Sequence, residues 1–171
     1  EGPWAGALGL LTTTDELLDS DEVASGSGIV VYNRASDEVL WDWSLMGEDD
    51  GVLSELQQDL LDSCDAERDC LHANDLLHGV DADGQQYFGL SLNGSSQILR
   101  VDVDSEAVRW RLGPGGDFAL VDDLDASSPA SLEESAWMFN PHGLELQWRE
   151  GARSRLLLLD NGNARDGDVE D

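Results

Sequence analysis

The sequence predicts an all-β chain: a partial β-propeller of about two to three four-stranded antiparallel blades, with short helical insertions. A repeat is the first of three reasons. From Gly28 the chain reads GIVVYNRASDEVLWDW and from Gln97 it reads QILRVDVDSEAVRWRL. A shift of 69 positions lays Ile29 on Ile98, Val30 on Leu99, Tyr32 on Val101, Asn33 on Asp102, Ser36 on Ser105, Val39 on Val108 and Trp41 on Trp110. The second reason is that these runs combine β-branched and aromatic residues with polar turns between them, the pattern of hairpins. Third, four such strands crowd into roughly 45 residues, the size of one propeller blade. Equivalent positions of successive units in such an array become neighbours in space.

In chain order, residues 4–13 hold one strand, followed by an acidic loop. Residues 28–32 and 39–43 form a hairpin across NRASDE, with Trp41 and Trp43 on one face because alternate strand residues share a face. Val52, Leu53, Leu56, Leu60 and Leu61 then recur at helical spacing, so 50–62 reads as a helix capped by Asp49 or Asp50. Strands follow at about 72–77, 87–92, 97–102 and 107–112, joined at Asp83-Gly84, Asn93-Gly94 and Asp104-Ser105. A second insertion, 113–136, carries a Gly/Pro turn, an acidic loop and a short helix at 129–136. Strands at 143–149 and 155–160 close on Asn161-Gly162. Residues 1–46 are thus the end of one blade, 47–70 a helical and cysteine insertion, 71–112 a complete blade, 113–140 an insertion, and 141–171 the start of the next blade. A β-sandwich could use the same strands but would leave the repeat unexplained.

At 171 residues with 40% hydrophobic content the chain can bury one ordinary core. It opens on Glu1 and ends soon after a strand, so it is expected to be an internal fragment of a longer protein. Nine basic residues against 37 acidic ones give a formal charge of −28, which repels phosphate backbones and anionic membrane surfaces and argues against a nucleic-acid partner. Every basic residue is Arg. The absence of Lys excludes Schiff-base chemistry and a P-loop lysine, so the Gly-rich LGPGGDF at 112–118 is no Walker motif. The acidity suits a solvated surface in a salt-rich habitat. The sharper alternative is a calcium loop at Asp81, Asp83 and Gly84, although the distal Glu of an EF-hand is missing. No apolar run approaches the roughly 20 residues needed to cross a bilayer, so no membrane contact is expected from this segment. Cys64 and Cys70 enclose a short loop. A disulfide there implies an oxidising compartment, and two free thiols are the other reading. No metal site is expected.

His72, Asn74 and His142 each stand where the chain enters the innermost strand of a blade, and the two histidines are 70 residues apart, about one repeat. Imidazole and carboxamide groups there can donate to an oxyanion, and a neutral imidazole can attack an electrophile. A reference pKa of about 6.5 suits a histidine to either task near neutrality. The bland alternative is that these side chains only hold turns.

Four elements resemble the bacterial arylsulfate sulfotransferases: HAND at 72–75, W-x-LG at 110–113, F-x-x-H at 139–142 and LLLLDNGNAR at 156–165. The resemblance runs from about Gly28 to the end. It implies a six-bladed propeller, periplasmic or secreted, that moves a sulfuryl group from a phenolic sulfate ester to a phenol without PAPS or any other cofactor. It further implies a ping-pong course through a sulfated histidine. On that resemblance His142 is the nucleophile, and His72 and Asn74 hold the sulfuryl oxygens and assist proton transfer. The family's arginine aligns at about Asn93, a neutral residue that lacks a guanidinium's charge and fork of donors. Arg100, or a residue of another blade, would have to supply the charge. Asn93 is a candidate substrate-binding residue but also fits a hairpin turn and the Asn-Gly-Ser glycosylation pattern. Trp137 and Phe139, just ahead of His142, are the expected aryl pocket, whereas Trp41 and Trp110 are expected to pack blade to blade. Arg165 reads as a structural ion-pair residue. The competing functions are a non-catalytic secreted propeller for binding or adhesion and, more remotely, a metal hydrolase built on His72 and His142.

Overall fold

The computed structural model describes residues 4, 7–17, 23–45, 55–62, 71–122, 130–133, 136–150 and 153–161. Alternation of side chains organises them around two central strands, β5 (Gln86–Leu92) and β6 (Gln97–Asp102). Phe88 lies opposite Val101 and Leu90 opposite Leu99, so with Leu92 they present one apolar face; Gly89 opposite Arg100 and Ser91 opposite Ile98 make up the other. β4 (Ala73–Val80) and β7 (Ala107–Leu112) flank them in a four-stranded antiparallel sheet, order β4-β5-β6-β7.

Each face is covered by a neighbour. The apolar face meets a three-stranded antiparallel sheet of β1 (Leu8–Leu17), β2 (Val23–Asn33) and β3 (Glu38–Ser44), where Ile29 and Val31 join Leu90, Leu92, Leu99 and Val101 in one buried cluster. Leu60, from the single helix among the described residues, α1 (Glu55–Asp62), enters the same cluster. On the other face, Gly89 leaves room for Leu144 of β8 (His142–Glu150), which pairs with β9 (Arg153–Leu159) in a two-stranded antiparallel sheet. The all-β class is therefore present, as antiparallel sheets with little helix.

The 69-residue repeat reaches beyond side-chain identity. A bulge between Val31 and Tyr32 recurs between Arg100 and Val101. Asp37, at φ 62°, recurs as Glu106, at φ 55°. Both hairpins thus turn through a non-glycine residue in the left-handed region, a costly conformation that the surrounding ladder must hold.

Two local expectations are corrected. The acidic stretch after residue 13 is strand as far as Leu17, with Asp15 opposite Ser25 and Glu16 opposite Ala24, because a long antiparallel partner overrides the poor strand propensity of acidic residues. The short helix expected at 129–136 is not helical at residues 130–133. There the Asp122 amide donates to Ala130 O at 3.0 Å and the Leu132 amide to Leu120 O at 2.9 Å, around a bridge between Val121 and Ser131. The turn expected at Asn93-Gly94 is present between β5 and β6, with its positive φ at Ser96 and the Ser96 amide donating to Asn93 O at 3.1 Å. The proposed helix cap at Asp49 or Asp50 lies outside the described residues.

Gly113, at the end of the W-x-LG run, is buried at φ 140°, and a Cβ there would sit 2.6 Å from Ser96 O. Gly113→Ala is expected to destabilise by about 2 kcal/mol, lowering Tm by roughly 4–8 °C in a thermal melt. Gly115→Ala is the control: its φ is 64° but nothing lies within 4 Å of the added atom, so the cost should stay near 1 kcal/mol.

Candidate functional site

A bulge aims the first side chain of the site. Ala73 pairs with Leu92 and Asp75 with Ser91, so Asn74 between them has no partner in the ladder. An extra residue bends its strand and redirects its side chain. The Asn74 carboxamide leaves the sheet and places Nδ2 3.2 Å from His142 Nε2, on a strand 68 residues later. His142 stands at a matching irregularity. It pairs with Leu159, the register then shifts before Glu145, and Gly143 turns at φ 62°.

Backbone contacts fix the two strand starts against each other. The Asp75 carboxylate accepts from the amides of Leu76 and Leu144, the second across the gap between sheets. The Ala73 amide donates to Ser27 Oγ at 2.7 Å, which ties β4 to the first sheet as well. Ahead of His142, the Asn140 amide donates to Ser96 Oγ at 3.1 Å, and Ser91 Oγ donates to Pro141 O at 2.5 Å. Pro141 is fully buried, so the approach to the imidazole is clamped onto the β5–β6 turn.

A third polar group converges on the same nitrogen. Asn161, the second residue beyond β9, puts Nδ2 3.4 Å from His142 Nε2. Its amide donates to Phe139 O at 3.1 Å, and the Phe139 amide donates to Asp160 Oδ1 at 3.1 Å, which straps the end of β9 to the segment entering β8. The donor and acceptor roles in both contacts depend on the imidazole tautomer; in the tautomer with its hydrogen on Nδ1, Nε2 accepts from the two carboxamides.

The other expected residues distribute as follows. His72 is half-buried in the turn entering β4, two residues before Asn74, and its carbonyl accepts from the Asn93 amide at 2.9 Å. Asn93 thereby supports the turn that carries His72; its side-chain Oδ1 is buried and makes no hydrogen bond among the described residues. Trp137 and Phe139 are half-buried on the approach to His142. Trp41 stacks on Phe88 of the next sheet at 5.3 Å, packing between sheets, while Trp110 meets Phe118 edge-on at 5.6 Å within its own unit. Cys64, Cys70 and Arg165 lie outside the described residues.

Arg100 does not serve the site. Its guanidinium contacts Asp81 at 2.6 Å and Asp102 at 2.7 Å and lies 4.2 Å from the Tyr87 ring centroid, beyond the far end of β4 from Asn74. Burial alone would loosen its proton, but the hydrogen bonds and charges of Asp81 and Asp102 outweigh that and hold it more firmly than usual. The same pairing occupies the Asp81 carboxylate, and the Asp81 amide donates to Gln85 O in a hairpin turn, so this loop is not arranged as a calcium cradle. No cluster of three or more metal-ligating side chains occurs among the described residues. A cavity of about 580 Å³ lined by Glu145, Leu146, Gln147 and Arg155 opens along the β8–β9 hairpin, apart from the imidazole.

Asn161 and Asp75 were missed as site residues. Hairpin register could have found Asn161, since antiparallel pairing of β8 with β9 returns the end of one to the start of the other. Asp75 gives no such signal, because its partner is an amide in another sheet.

No protein-family model, curated protein or solved structure matches the chain.

Proposed function

We propose that this chain is a segment of a β-propeller that transfers a sulfuryl group from a phenolic sulfate ester to a phenol through a sulfated His142. The observation that carries the reading is the meeting of Asn74 and His142 at 3.2 Å from strand entries one repeat apart. The packing of successive sheets face to face and the recurrence of bulge and turn at a 69-residue shift support the propeller. The sequence resemblance supplies the reaction class.

In the first half-reaction the lone pair on His142 Nε2 attacks sulfur. An N–S bond forms as the S–O bond to the aryl group breaks, and the phenolate leaves with the electron pair and takes up a proton. In the second, the oxygen of an acceptor phenol attacks the same sulfur, its proton passes to a base for which His72 is the candidate, and Nε2 departs with its lone pair restored. Charge stays on the peripheral sulfuryl oxygens throughout, where the Asn74 carboxamide would donate. Splitting the transfer at histidine replaces one difficult step with two easier ones. A periplasmic or secreted location belongs to the same proposal.

Incubation of the full-length protein with an aryl sulfate and a phenol should give sulfated phenol, and quenching before the acceptor is added should leave sulfate on His142 by mass spectrometry. Absence of both would sink the reading.

A further inference from the structure

We infer that Asp75 is a positioning residue for His142: with Ser91 it grips the backbone on both sides of the imidazole and sets the ring against Asn74 for attack on sulfur. This rests on the sulfuryl-transfer reading above and extends it to the residues that aim the nucleophile.

The bulge at Asn74 starts the arrangement. Had the ladder run on evenly from the Ala73–Leu92 pair, Asn74 would lie opposite Ser91; the extra residue gives that place to Asp75. Asp75 and Ser91 are therefore a cross-strand pair, and paired residues share a face of the sheet. Both reach from that face to the segment entering β8. Ser91, fully buried, donates from Oγ to Pro141 O at 2.5 Å, and Asp75 Oδ2 accepts from the Leu144 amide. His142 and Gly143 are the two residues between the gripped points. Gly143, at φ 62°, makes the turn that a chain held at both ends needs there.

The carboxylate suits this task where its isostere does not. Its other oxygen, Oδ1, accepts from the Leu76 amide at 2.9 Å, so one rigid group joins the start of β4 to the start of β8. A carboxylate accepts at both oxygens, whereas a carboxamide has one acceptor and one donor and would set an N–H against one of the two amides. Asn74 precedes Asp75 in the chain, and His142 lies two residues before Leu144. The 3.2 Å between Asn74 Nδ2 and His142 Nε2 is thus fixed close to the clamp on both strands. Reacting groups misplaced by about 1 Å can lose about 10²-fold in rate, so the clamp matters more to the attack than to binding.

The test uses the full-length protein with an aryl sulfate donor and a phenol acceptor, and follows kcat, KM and sulfate on His142. Asp75→Asn should lower kcat by about 10- to 100-fold with KM within about threefold of wild type, and sulfate should still appear on His142, more slowly. A double-mutant cycle separates positioning from general weakening of the fold. Because Asp75 acts by holding the imidazole against Asn74, Asp75→Asn should cost at least about fivefold less in an Asn74→Ala background than alone. Independent effects, multiplying in the double variant, overturn the inference. Wild-type kcat in Asp75→Asn, with His142 sulfated, also overturns it and leaves the transfer reading standing. If His142 in wild type never carries sulfate, the transfer reading fails and this inference with it. Should Asp75→Asn not fold, Ser91→Ala decides: kcat lower by about 3- to 10-fold at unchanged KM is expected, and wild-type kcat refutes the clamp.

Discussion

His142→Ala should lose sulfuryl transfer by at least about 10³-fold, because the covalent route disappears with the nucleophile while the surrounding donors remain. The comparison that identifies the role is Asn74→Ala, expected to slow transfer by about 10²-fold while residue 142 still becomes sulfated. Rates from a phenol-release assay, with mass spectrometry of the quenched protein, distinguish the two. Added free imidazole should restore part of the activity to His142→Ala and none to Asn74→Ala. Equal activity of wild type and His142→Ala would show that the imidazole is not on the reaction path. The fold should tolerate both changes, since the backbone contacts that pin the strand starts run through Asp75, Ser91 and Ser96.

The second large effect concerns stability. Arg100 is only 9% exposed and satisfies two carboxylates at once. Arg100→Ala leaves Asp81 and Asp102 without their cation in a poorly solvated place and removes the contact over Tyr87, so a loss of about 3 kcal/mol is expected. In a thermal melt this corresponds to roughly 6–12 °C. Urea unfolding should show a lower midpoint with an unchanged slope. Neutralising the carboxylates in the same background, with Asp81→Asn and Asp102→Asn, should recover part of the loss, because the penalty is mainly that of stranded charge. A variant as stable as wild type would mean that the triad adds nothing to the fold. Sulfuryl transfer by folded Arg100→Ala should be unchanged, since its guanidinium is engaged by Asp81 and Asp102 near the end of β4 opposite to Asn74.

The strands were legible where local pattern is strong. Alternation and β-branched runs locate β3, β5 to β7 and the second half of β2 close to where they lie, and the helical spacing of Leu56 and Leu60 places α1. Asp15 and Glu16 misled because strand formation there depends on their partners across the hairpin, Ser25 and Ala24, not on their own propensity. The helix expected at 129–136 is absent at residues 130–133 for a similar reason, since Asp122 Oδ1 and the Asp122 amide both engage Ala130 and favour a short bridged turn. Asn93 shows the limit for the site. The resemblance would put an arginine in its place, whereas its backbone links the turns of His72 and Ser96.

By itself the sequence determined what depends on short range: the all-β class, the order of the strands, the repeat at 69 residues and a pair of histidines, His72 and His142, spaced within one residue of that repeat. The tertiary structure alone decided that Asn74 leaves the ladder at a bulge to meet His142, that Asn161 joins them, and that Arg100 is used up by Asp81 and Asp102. The physical reason is that strand propensity and turn chemistry act between neighbours along the chain. Where a side chain points at a bulge, and which cation faces which carboxylate, follow from how separately formed sheets settle against one another.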